Sequence, residues 1–116
     1  MIRIKRVYET ADKGDGYRVL VDRLWPRGMK KEQAKIDLWM KDVAPSDALR
    51  KSFHHEALKW PDFEKKYRTE LKSKKLLLAE LRKMEKEYGT ITLLFGAKDE
   101  EHNQAVVLAE EMKGRG

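Results

Sequence analysis

The chain has 116 residues and no cysteine, with 40% charged and 41% hydrophobic side chains and a formal net charge of +6. That length makes one domain around one core, with no room for a separate substrate domain, and the lack of cysteine excludes a disulfide framework, a thiolate nucleophile and a cysteine-ligated zinc or iron–sulfur centre. No stretch approaches the ~20 apolar residues that span a bilayer, and Met1-Ile2-Arg3-Ile4-Lys5-Arg6 lacks a signal peptide's apolar core, so a cytoplasmic monomer or homodimer with no membrane partner is expected.

Ile2 to Tyr8 nearly alternates charged and apolar residues, which suits a strand with one solvated face, and Asp12-Lys13-Gly14-Asp15-Gly16 then reads as a turn. It is not a phosphate cradle, because it has neither the spacing of a P-loop nor a Lys-Ser/Thr ending. A second strand follows over 17–23. Only about eight residues connect the two strands, fewer than the dozen a parallel crossover usually needs, so an antiparallel first pair is the expectation. Residues 1–31 carry nine Lys/Arg against four Asp/Glu, which concentrates the positive field in the amino-terminal third.

Ile36, Leu38 and Met40 alternate with Asp37, Trp39 and Lys41, as in a short strand. Pro45-Ser46-Asp47 starts a helix with Ser46 as N-cap and Leu49 and Phe53 on its inner face. Pro61 opens another, lined by Phe63, Tyr67 and Leu71, and Leu77, Leu81, Met84 and Tyr88 extend an apolar stripe to the helix stop Gly89. The run 91–97 lacks alternation, as a central strand covered on both faces does. Asp99 is placed to cap the last helix, in which Ala105, Val106, Leu108, Ala109 and Met112 bury one side before Gly114, with Gly114-Arg115-Gly116 frayed. The whole reads as a single α/β domain over 1–116, a mostly parallel sheet of three to four strands flanked by helices.

Two apolar runs discharge into dense polar sequence: 17–21 into Asp22-Arg23-Leu24-Trp25-Pro26-Arg27-Gly28, and 91–97 into Lys98-Asp99-Glu100-Glu101-His102-Asn103. If these are parallel neighbouring strands, their carboxyl ends share one crevice, the usual ligand site of an open α/β sheet. Arg23 and Arg27 offer planar forks for phosphate or carboxylate, Lys98 a third cation, and Trp25 a stacking face. Asp22, Asp99 and His102 are the catalytic candidates, with His102 able to exchange a proton near neutral pH and Asn103 able to orient a polar group. The competing reading is structural: Asp22 pairs with Arg23 or another arginine, Trp25 plugs the core edge, Arg27 is solvated, Asp99 only caps, and His102 is a surface residue of the first turn. His54-His55 does not make a metal pair, since adjacent helical side chains point about 100° apart; one imidazole is expected to cap the helix end or reach the crevice while the other meets water. The basic stretch 59–88 has ten Lys/Arg interspersed with six acids and reads as a solvated helical face before a nucleic-acid surface.

The ordered set Val19-Leu20-Val21-Asp22-Arg23-Leu24-Trp25-Pro26-Arg27-Gly28, Trp39-Met40-Lys41, Ala44-Pro45-Ser46, Leu49-Arg50, Phe53-x-His55, Trp60-x-x-Phe63-x-x-x-Tyr67-x-x-Glu70-Leu71, Ala97-Lys98-Asp99 and Asn103-x-Ala105-x-x-Leu108 resembles the short YeaO-like branch of a bacterial family, domain of unknown function 488. The resemblance covers nearly the whole chain. It implies a small cytoplasmic α/β protein with no established activity, and it adds Arg50 to the ligand-binding set. Where that family's pattern is expected to read Asn-His-Ala, this chain has Asn103-Gln104-Ala105, which removes a catalytic histidine from that position. The leading expectation is a crevice for a phosphorylated or otherwise anionic metabolite or nucleotide, with enzymatic activity left open and no cofactor. The alternatives are a nucleic-acid-binding or regulatory module using the basic surface, and a purely structural interaction partner.

Overall fold

In the computed structural model, which describes residues 1–54 and 56–114, four strands form one sheet: β1 (Ile2–Arg6), β2 (Tyr17–Leu20), β3 (Leu38–Trp39) and β4 (Ile91–Phe95). Their order is β1-β4-β2-β3 and every pairing is parallel. The first two strands are therefore neither antiparallel nor neighbours. β4 arrives some seventy residues later and enters between them, with Val19 and Ile4 both in register with Leu93. A crossover of residues 7–16 suffices because it carries no helix longer than the single 3₁₀ turn Lys13–Asp15.

The sheet's two faces are covered differently. Side chains alternate along a strand, and Val19, Val21, Ile91, Leu93 and Phe95 face four helices: α2 (Asp47–Phe53), α3 (Trp60–Lys72), α4 (Lys75–Tyr88) and α5 (Gln104–Met112). On the other face Leu20 and Leu94 pack with Val7, Ala34 of the one-turn helix α1 (Lys31–Ala34), Trp25 and Trp39. β4 is buried at all five positions, which explains its unbroken apolar run.

The second face also carries a buried polar clamp. Arg3, Thr92 and Arg18 lie in one cross-strand row, and the returning 7–16 segment lays Asp15 over them. Asp15 is fully enclosed; it pairs with Arg18, takes Lys5 Nζ at 3.1 Å, and its carbonyl accepts from Thr92 Oγ1 at 2.6 Å. Burial opposes ionisation of this carboxyl, but the Asp12 N–H and the two cations outweigh it and hold its pKa below the ordinary value. Gly16 is required beside it: at φ 62°, a Cβ there would lie 2.2 Å from Thr90 O.

Ser46 caps α2 as expected, its Oγ accepting from Leu49 N at 3.2 Å, and Glu70 of α3 grips Ser46 through both N–H and hydroxyl. Pro61 sits in the first turn of α3, whose buried face is Phe63, Tyr67 and Leu71. The following stripe belongs to a separate helix after a break at Ser73-Lys74; α4 buries Leu78 and Leu81, while Tyr88 is half-exposed and stacks on Tyr17 at 4.3 Å. The last helix begins later than Asp99, with Asn103 as its N-cap; Ala105, Leu108, Ala109 and Met112 are buried as expected, and Val107 is buried in place of Val106. Among the described residues no helix is long and apolar enough to cross a membrane.

Candidate functional site

Because all four strands run the same way, their carboxyl ends share one edge, and a cavity of about 490 Å³ opens there. The segment leaving β2 contributes Asp22 to Arg27, the segment leaving β4 contributes Gly96 to Lys98, the segment after β1 contributes Tyr8, and α2 contributes Arg50 and Phe53. The two polar segments singled out in the sequence thus meet in part: Asp22, Arg23, Trp25, Arg27, Arg50 and Lys98 all line this cavity.

Asp22 lies where β2 and β4 diverge. Its Oδ2 accepts from Gly96 N at 2.8 Å and its Oδ1 from the side-chain amide of Gln104, and among the described residues it makes no ion pair with an arginine. Burial is the dominant influence and lifts its pKa to about 6, against the two hydrogen bonds. Gly96 permits the contact, since a Cβ there would stand 2.9 Å from Asp22 Oδ2.

Four cationic residues, Arg23, Arg27, Arg50 and Lys98, line the cavity with this one carboxylate. Arg23 spends Nε on Pro45 O at 3.0 Å and one terminal nitrogen on Ala44 O at 3.2 Å, strapping the segment before α2 to the end of β2, and it has no acidic partner among the described residues. Arg27 is exposed, and neither its guanidinium nor the ammonium of Lys98 has a partner among the described residues. Arg50 reaches Asp47 at 3.3 Å with a terminal nitrogen, while its Nε is buried with no hydrogen-bond partner among the described residues. Trp25 plugs the edge of the second core and is fixed by indole N–H donation to Met29 O at 2.6 Å and edge contact with Trp39.

Asp99, His102 and Asn103 are outside the cavity lining. Asp99 does not cap α5; it closes an Asx turn by accepting from Glu101 N and His102 N, and those bonds with the His102 ring hold its pKa low. The His102 ring lies 2.8 Å from Asp99 Oδ2 and edge-on to Trp60. Asn103 is fully buried and uses both ends of its amide locally, Oδ1 on Val106 N and Nδ2 on Asp99 O. His54 is exposed and ends α2 in a left-handed conformation, φ 47°; His55 lies outside the described residues.

A family model described as "Inactive DUF488-N3 subclade" matches residues 1–115. The chain belongs to this DUF488-N3 family. It is similar to the uncharacterized protein YeaO of Escherichia coli K12, 43% identical over 115 residues that cover 97% of this chain and 96% of YeaO. It is also similar to the uncharacterized protein Rv3073c of Mycobacterium tuberculosis H37Rv, 40% identical over 98% of this chain and 95% of the relative. No solved structure matches it.

In this DUF488-N3 chain the sequence reading missed Tyr8, Phe53, Phe63, Gly96 and Gln104 as lining residues. Phe53 and Phe63 looked only like core positions because they are that as well, 3% and 4% exposed and stacked at 4.4 Å. Gln104 carried a usable signal: the departure from the expected family pattern falls on the side chain that holds Asp22. Tyr8 carried none, since it reaches the cavity through its hydroxyl's bond to Arg27 O at 2.9 Å, a contact made by the order of the strands.

Proposed function

We propose that this protein binds a phosphorylated or otherwise anionic small molecule in the cavity at the carboxyl ends of β2 and β4. The observation that carries the reading is the charge of the lining, four cations against one carboxylate, with Arg23, Arg27 and Lys98 lacking an acidic partner among the described residues. Cations left unpaired around a concave site raise the local concentration of anions, and guanidinium forks match phosphate and carboxylate oxygens. Asp22 sets the strength of the site through its charge, and Arg23 holds the wall in place while presenting its remaining donors. The description of the subclade as inactive suits a site that binds without turnover.

The basic helices favour the nucleic-acid alternative less, because their faces are not of one sign: six acids are interspersed over 59–88, and two of the cations are paired, Arg68 with Glu64, Glu110 and Glu111 and Lys66 with Asp62. The test is calorimetric titration with inorganic phosphate at low salt. Arg27→Ala and Lys98→Ala should each weaken binding at least fivefold with thermal unfolding unchanged, as neither side chain has a partner among the described residues. Equal affinity in both variants would remove the assignment, and binding of short oligonucleotides with a steep salt dependence would move the function to the basic surface.

A further inference from the structure

We infer that the anion taken by this cavity carries a flat aromatic body, placing the ligand in the class of aryl phosphates; this rests on the anion-binding reading above. Size is the first argument. A cavity of about 490 Å³ falls in the ~300–1,000 Å³ range of pockets that enclose drug-sized molecules, and a bare tetrahedral anion would leave most of it to water. The second is the aromatic share of the lining. Phe53 and Phe63, stacked on each other, line the cavity together with Trp25 and Tyr8.

Those rings are held before any ligand arrives. Trp25 is pinned at its indole N–H and against Trp39, and Tyr8 is tied through its hydroxyl to Arg27 O. A ring entering between them meets fixed faces and loses little free energy to reorganising the site. Arg50 leaves the same helix as Phe53, and its Nε is a buried donor without a partner among the described residues. Such donors are rare in folded proteins, and an oxygen at the junction of head group and ring would satisfy it. Four cations suit a dianionic phosphate better than a single carboxylate, which one guanidinium fork saturates.

The experiment is calorimetric titration of the intact protein, at low salt and pH 7.5, with phenyl phosphate, methyl phosphate, benzoate and benzyl alcohol, repeated on Arg27→Ala. Phenyl phosphate should bind at least tenfold tighter than methyl phosphate and benzoate, benzyl alcohol should be the weakest, and Arg27→Ala should weaken both phosphates by the same factor. Equal affinity for methyl and phenyl phosphate would overturn the aromatic inference and leave the anion site standing. Benzoate matching phenyl phosphate would overturn the assignment to phosphate. Benzyl alcohol matching phenyl phosphate would overturn the anion reading itself, and no binding by any probe would overturn both.

Discussion

Replacing Asp22 with asparagine should stabilise the protein at neutral pH. Burial raises this carboxyl from 3.8 to about 6, so between about pH 4 and pH 6 the folded chain holds a proton that the unfolded chain has released. Stability attributable to Asp22 therefore falls as pH rises through that window and is level above it. At ~1.36 kcal/mol per pKa unit, the charged carboxylate costs about 3 kcal/mol at pH 7.5. Asparagine has the same shape and removes the charge. Its oxygen can still accept from Gly96 N, and its amide can donate to Gln104 once that side chain turns over, so both existing bonds survive. The assay is urea unfolding of wild type and Asp22→Asn at pH 4, 5, 6 and 7.5, reading the difference between them so that every other titrating group cancels. The variant should match wild type near pH 4 and gain up to about 3 kcal/mol by pH 7.5. A difference that is flat across the range, or a variant less stable than wild type at pH 7.5, would refute the reasoning.

The same substitution should tighten inorganic phosphate binding at pH 7.5 by removing the one negative charge of the lining, measurable by the same calorimetric titration. Asp15→Ala leaves Arg18 buried and uncompensated, and should cost about 3–5 kcal/mol in urea unfolding at pH 7. Because the Asp15 pKa is depressed, its contribution is present above the unfolded value of 3.8 and is lost as pH falls through the lower folded value. Asn103→Ala removes the cap of α5 and should cost at least ~1 kcal/mol, whereas Asp99→Ala should not prevent α5 from forming, as circular dichroism would register. Gly96→Ala puts a methyl 2.9 Å from Asp22 Oδ2 and should destabilise by ~1–3 kcal/mol, less so in the Asp22→Ala background, where the clashing oxygen is gone.

Elements whose cause is local were legible in the chain. Ile91–Phe95 shows burial on both faces as an unbroken apolar run, Ser46 precedes its helix with an oxygen at capping distance, and Pro61 marks a first turn. What depends on distant pairing was not. Nothing near residues 2–20 shows that a strand from residue 91 onward will separate β1 from β2, so a short connector looked like a hairpin. Asp99 and Asn103 are both competent caps four residues apart, and the choice falls to Asn103 because its amide bonds both the helix and Asp99 O. The Asp15 clamp reads in sequence only as a turn, since charged residues at a loop give no sign of lying over a sheet. The candidate site divides along the same line. Cations leaving a strand end announce themselves in sequence, while the aromatic lining and the Gln104 tether of Asp22 need the folded arrangement.

The central claim is that an anion enters the cavity at the carboxyl ends of β2 and β4. The most direct measurement is the set of backbone amide shifts in a ¹⁵N-labelled sample titrated with sodium phosphate at constant low ionic strength and pH. The account predicts saturable shifts concentrated at 22–25, 27, 50 and 96–98. Shifts confined to the lysine-rich faces of α3 and α4, or none above those produced by an equal concentration of chloride, would contradict it.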